Sequence, residues 1–326
     1  MSSYADLAAI LRRQQILKKQ PAYYARLACG NFVMLALSLV MLLRVQHPVL
    51  QAMNAGFLAF VFTQLSFLVH DAGHGAIFAA RWKNTWVGRV QAGLLLGMSF
   101  SQWCEEHNRH HRNPNQVTRD PSVNIPVLAF SEDQARAKRG ICRIVVKYQA
   151  WLFFPMTLLE SINKRRGVLK FLLRRRNFVE LTLFACHYVL YFGVLVLALP
   201  WMNAIWFFLL HQGLYGLYMS LVFAPNHKGM PLLASDCDLP FLERQIATAR
   251  NVRVHRTLDF WFGGLNYQIE HHLFPGIPRN KLPEARHIIR QFCLRSGIPY
   301  YETGFVEAYS DILRHLRNVS RVLSQP

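Results

Sequence analysis

Acidic residues are scarce in this chain of 326 residues: 18 Asp and Glu stand against 37 Lys and Arg, and charged residues of both signs make up only 17%. So little charge excludes a disordered, solvating chain, which pairs low hydropathy with high charge. Cysteine is limited to Cys29, Cys104, Cys142, Cys186, Cys237 and Cys293, with no C-x-x-C pair among them. That excludes a zinc ribbon or dithiol redox motif and points to free thiols. There is no internal repeat and no low-complexity linker, so one integrated domain over 1–326 is expected. The first 26 residues lack the compact apolar core of a cleavable signal. Their Leu7, Ile10, Leu11 and Leu17 predict an amphipathic helix lying on a membrane surface.

What the chain has is apolar residues, 52% of the total, gathered in runs rather than alternating. Uncharged stretches cover 29–43, 49–69, 181–199 and 201–225, and a spanning helix needs about 20 mostly apolar residues. The fold class expected is therefore an all-α integral membrane protein with four transmembrane helices, at about 27–45, 49–69, 179–199 and 201–224. They form two hairpins that turn near Val45 to Pro48 and at Pro200. In this topology 36 of the 37 Lys and Arg lie on one side and only Arg44 on the other. By the positive-inside rule, 1–26, 70–178 and 225–326 are cytoplasmic. The net charge of +19 is thereby explained without nucleic acid, for which no reading motif or interleaved aromatic stripe is present. Seven basic residues from Lys164 to Arg176 read as an anchor at the lipid headgroups. The short apolar segment 88–103 reads as re-entrant, and 143–160 as interfacial. Helices are expected over 282–296 and 303–323, the second with Ala308, Ile312, Leu316 and Val319 on one stripe.

Three histidine clusters stand at the ends of apolar segments: His70-Asp71-Ala72-Gly73-His74, His107-Asn108-Arg109-His110-His111 and Gln268-Ile269-Glu270-His271-His272. On a helix, positions i, i+3 and i+4 share one face. Seven imidazoles exceed what one four-coordinate ion can use, which points to two metal ions. All three clusters, and Asn226-His227 just after the fourth span, map to the cytoplasmic side. His47, His187, His211, His255, His287 and His315 have no partner at ligand spacing and read as structural. Nitrogen ligands suit zinc, copper, iron and nickel alike, so spacing does not choose the metal.

The boxes HDAGH, HNRHH and QIEHH, with Gly264-Leu265-Asn266-Tyr267 before the third and Leu273-Phe274-Pro275 after it, resemble the three-box signature of integral-membrane fatty-acid desaturases and hydroxylases. The likeness covers about residues 50 to 280. The third box beginning with Gln268 is similar to that of front-end desaturases and their bacterial relatives. The resemblance implies a non-haem centre of two iron ions in a cytoplasmic helical cap, with dioxygen as co-substrate. His70, His74, His107, His110, His111, His271 and His272 would be ligands, and His227 an eighth. Gln268 is implied as a weak ligand or an outer partner. Asp71, Glu105, Glu106, Asn226 and Glu270 adjoin ligands and are candidates to hold their far ring nitrogens. The substrate implied is a fatty-acyl chain on CoA, acyl-carrier protein or a lipid, given a cis double bond. Hydroxylation or alkyne formation is the alternative within the same chemistry, and a metal transporter or sensor the distant one. With no cytochrome b5 segment in the text, a separate ferredoxin- or cytochrome-type donor with its reductase is expected. The location expected is a bacterial inner membrane, among its lipids.

Overall fold

The computed structural model describes residues 3–324. The outermost residues of the two terminal segments expected in the cytoplasm, 1–2 and 325–326, lie outside the described residues. The chain forms two compact units, each assembled from separated stretches: 19–104 with 156–220, and 1–18 with 105–155 and 221–326.

The first unit carries three of the apolar helices and the fourth as far as Ser220. Four helices are long and apolar enough to cross a membrane: Pro21–Arg44, Pro48–Gly73, Phe178–Ala198 and Trp201–His227. The first two begin with proline in the first turn, where its missing N–H costs nothing. The third is capped by Asn177, whose side chain accepts from the Glu180 amide. Two helices outrun the expected spans. The second continues through the first histidine box to Gly73, and the fourth through His227. Along the first and third helices apolar side chains face outward; Val196 is 71% exposed and Leu197 86%. Such a surface suits lipid rather than water.

Polar groups inside this unit close on one another. Ser38 Oγ donates to Asn54 Oδ1 at 2.8 Å, and Gln51 Nε2 donates to the carbonyls of Met41, Leu42 and Val45 at the end of the first helix. The segment 88–103, expected to be re-entrant, holds the end of a helix over Arg81–Arg89, a π turn over Val90–Leu95 and the start of the helix over Phe100–Arg112. Carbonyls from this turn and just beyond it are capped from the side. His187 Nδ1 donates to Leu94 O, Arg165 to Leu96 O, and Tyr188 to Gly97 O. His187 is thus a capping residue. Arg165 turns inward, away from the headgroup role expected of its basic cluster, because Leu96 O, Ser161 O and Gln212 Oε1 take its donors.

The second unit holds two of the three boxes. Its core joins Leu7, Leu11 and Ile16 to Ile246, Ile269, Leu273 and Ile289. The N-terminal helix, Tyr4–Arg13, was expected on a membrane surface and is instead packed into protein. Its apolar stripe meets an equally apolar face, and Tyr4 stacks on Phe274 with ring centroids 4.9 Å apart. The expected tail helices are Leu282–Arg295 and Phe305–Arg321. Ala308, Ile312, Leu316 and Val319 are all buried. The all-α expectation needs one correction. β1 (Asn251–Arg253) pairs in parallel with β2 (Glu302–Gly304).

Candidate metal centre

The box histidines sit on helix ends as their spacing demands. His107, His110 and His111 lie in the last turns of a helix over Phe100–Arg112, and His271 and His272 on a short helix over Gln268–Leu273. Gly264, at φ +77, turns the chain into that helix, and a Cβ there would lie 2.7 Å from Arg279 Cγ. His227 ends the fourth apolar helix, whose Pro225 supplies no N–H to the carbonyl four residues back. That carbonyl, Leu221 O, accepts the Tyr309 hydroxyl instead, at 2.5 Å. The helix end is then held by Arg250: its amide donates to Asn226 O, its Nε to Pro225 O and its Nη2 to Lys228 O. Asn115 Nδ2 caps His227 O at 3.1 Å.

Within the second unit the six imidazoles fall into two touching sets. His110, His227 and His272 bring ring nitrogens within 4.8 Å of one another, and all three are buried. His110 Nε2 and His227 Nε2 are 3.3 Å apart. In the other set, His111 Nε2 lies 3.1 Å from both His107 Nε2 and His271 Nε2. The sets adjoin where the His111 and His272 rings stack at 4.2 Å. Nitrogens about 2.1 Å from one metal at 90–110° lie roughly 3.0–3.4 Å apart, so these spacings suit ligation.

The far nitrogens decide what the near ones can do. His110 Nδ1 faces the Asp120 carboxylate at 2.9 Å, His227 Nδ1 faces Thr248 O at 2.9 Å, and His272 Nδ1 faces Gln245 Oε1 at 2.9 Å. All three oxygens accept, and a carboxylate and a carbonyl cannot donate. Each ring therefore carries its proton on Nδ1 and turns the Nε2 lone pair toward the cluster. Opposed lone pairs repel unless a cation lies between them, and three converging imidazoles suit a metal ion. The donor set fits the metal that the boxes imply. Asp120 is buried, which opposes ionisation. Hydrogen bonding from His110 and the charge of Lys228 nevertheless hold its carboxyl well below the usual carboxylate range.

Gln268 stands beside this set: its Oε1 accepts from Asn226, so its Nε2 donates to His227 Nε2 at 2.9 Å and its nitrogen, not its oxygen, faces the ring. Glu270 does not reach a ring, because it is turned to the back of the box. Its carboxylate accepts from Tyr300 and from Asn251 Nδ2, while Asn251 Oδ1 accepts the Ile269 amide. Burial pushes Glu270 up to about 7, against the pull of those two hydrogen bonds. Glu105 is exposed and Glu106 half-buried. Asp120, Gln245 and Thr248 were missed from the sequence, since no local spacing links them to the boxes.

In the other unit, His70 and His74 face one another across the last turn of their helix with centroids 4.8 Å apart, and Asp71 Oδ1 lies 3.2 Å from His70 Nδ1. Trp103 closes over this turn where Gly73 leaves room; a Cβ on Gly73 would lie 2.4 Å from the indole. His211 accepts at Nδ1 from Tyr191, inside the apolar helices. His255 is exposed and pairs with Thr257, and His315 donates to Phe130 O.

Comparison with known proteins identifies the family. The sequence model of the fatty acid desaturase family matches residues 47–304. The chain is 26% identical to the acyl-lipid (9-3)-desaturase of Physcomitrium patens, over 100% of this chain and 64% of that one. It is 24% identical to the Delta(5) fatty acid desaturase fat-4 of Caenorhabditis elegans, over 99% and 75%. To the Delta(8)-fatty-acid desaturase of Helianthus annuus it is 27% identical, over 82% and 62%. The chain thus spans about two thirds of the length of these relatives. With its four apolar helices and paired histidine clusters, the chain is a membrane protein of the fatty acid desaturase family.

Proposed function

We propose that this chain, acting as one domain over 1–326, is an oxygen-dependent desaturase that introduces a cis double bond into a fatty-acyl chain. The observation that carries the reading is the set of three buried imidazoles whose Nδ1 protons are pinned outward, leaving Nε2 for metal. In this reading two iron ions are held by His107, His110, His111, His227, His271 and His272 together with His70 and His74 of the first box. Gln268 serves beside them as an outer partner; to act as a weak ligand its amide would have to turn, because Asn226 holds its Oε1 and its N–H faces His227. Asp71, Asp120, Thr248 and Gln245 fix ring orientation, and Asn226 orients Gln268.

Bound iron supplies the power to activate dioxygen and to take hydrogen from an unactivated methylene. The balance is one dioxygen, two electrons and two protons from a donor, and two hydrogens from neighbouring carbons, leaving as two waters. The protein's own residues orient the rings, exclude water by burial and keep the cluster protons on Nδ1, away from the reacting face. The donor is of ferredoxin or cytochrome type with its reductase. The acyl carrier is CoA, acyl-carrier protein or a lipid, and the name of the moss relative favours a lipid. The site lies on the cytoplasmic face of the membrane. The relatives compared are eukaryotic, so they lend no support to a bacterial inner membrane.

Mass analysis of acyl lipids from an expressing host tests the reaction. A product lighter by two hydrogens, lost in His110→Ala, is expected. A product heavier by one oxygen would assign the hydroxylase alternative, and loss of four hydrogens the alkyne-forming one. An unchanged acyl profile with metal moved across the membrane would replace desaturation by transport.

A further inference from the structure

The helix over Phe241–Ala247 contains no histidine and lies outside all three boxes, yet it sends one side chain into the metal centre. Gln245 is fully buried. Its Oε1 lies 2.9 Å from His272 Nδ1, and its Nε2 donates to His111 O at 2.8 Å. The amide has only one sensible orientation, because the carbonyl of His111 can accept and cannot donate. Its oxygen is therefore committed to His272, and the His272 proton to Nδ1. His111 belongs to one imidazole set and His272 to the other. A single amide thus grips the main chain at the end of the second box and the ring of the third. His110 and His227 have orienters of other kinds, a carboxylate and a main-chain carbonyl.

We propose that Gln245 is a positioning residue for the metal centre, fixing the tautomer and rotation of His272 while clipping the second box to the third. The proposal rests on the metal reading above and adds to it a residue that no box contains. It acts through His272 and touches neither metal nor substrate. Without the acceptor, the His272 ring is free to rotate and to carry its proton on either nitrogen, so part of its population presents N–H to the metal in place of a lone pair. Outer partners of ligating histidines carry about 10–100-fold in metal affinity.

The test is chelator-competed Co(II) titration of the full chain, purified in detergent and stripped of metal, followed by its visible ligand-field spectrum and by thermal melting of the metal-free forms. Gln245→Met keeps the bulk but loses both hydrogen bonds. It is expected to weaken one bound ion by about 10–100-fold and to shift its spectrum, beyond the modest fall in metal-free melting that two lost buried hydrogen bonds bring. Gln245→Glu retains an acceptor for His272, and as the neutral acid a donor for His111 O, so it is expected to restore most of the affinity. Gln245→Met binding both ions as tightly as wild type would overturn the proposal. So would equal weakening in both variants, or a fall in metal-free melting with affinity unchanged, since either marks a packing role. Wild-type protein that takes up no Co(II) would overturn the metal reading itself, which is a separate outcome.

Discussion

An imidazole has two nitrogens, and in this centre they do different jobs. The proton goes to the side where an oxygen can only accept, as with Asp120, Thr248 and Gln245, and the lone pair goes to the cluster. Among the described residues, His187, His211 and His255 belong to neither imidazole cluster, so no lone pair of theirs converges with others. His187 spends its Nδ1 on a π-turn carbonyl, His211 accepts from Tyr191, and His255 pairs with a nearby hydroxyl at the surface. We therefore expect His227→Ala to lower bound metal and abolish activity as severely as His110→Ala. Alanine at His187, His211 or His255 should keep most of the metal, because it opens no coordination position. Metal-to-protein ratios of the purified variants check this, and full loading of His227→Ala would remove that ring from the site. The ligand rings were legible because i, i+3 and i+4 spacing is a local signal. Their orienters were not: Asp120 is ten residues from His110, Gln245 is 27 from His272, and Thr248 contributes only a carbonyl.

At the scale of elements, the stretch from Thr248 through β1 joins the end of the fourth apolar helix to the third box and the tail. Arg250, 1% exposed, donates to Pro225 O, Lys228 O and Ala308 O and pairs with Asp311 at 2.9 Å. Asn251 beside it holds Ile269 and Glu270. Arg250→Met strips three buried carbonyls and a carboxylate of their donor, and a loss of about 3–5 kcal/mol is expected. Thermal melting in detergent would read it, with earlier proteolytic cleavage before Phe305 as the tail helix loosens. A variant that melts with wild type would show that water replaces the guanidinium without cost. The N-terminal helix makes a second case. Leu11 is fully buried in the second unit's core, and Leu11→Ala should cost about 2–5 kcal/mol in the same melt. A helix on lipid would lose almost nothing. Its stripe was legible but its partner was not, since Leu7, Ile10 and Leu11 look the same whether they face lipid or protein. β1 escaped because three residues are too few to show a period.

For the molecule as a whole, the four long helices were plain in the sequence, because they are a property of runs. The assembly of each unit from separated stretches was not, since it depends on contacts between residues distant in sequence. The account places both ends of the chain and the metal centre on the cytoplasmic side, with the turn at His47 outside. In a background without the native cysteines, His47→Cys should react with a membrane-impermeant thiol reagent in intact cells, and Arg13→Cys and Glu307→Cys should not. All three positions are exposed in the protein, so burial would not mask them. Ready labelling at Arg13→Cys or Glu307→Cys would overturn the orientation. The central claim is that the histidine boxes hold a pair of iron ions, and the most direct test is metal analysis of purified protein expressed with iron available. Eight imidazoles exceed the needs of one four-coordinate ion, so about two irons per chain are expected. A single ion per chain, or zinc retained in place of iron after such expression, would contradict the account.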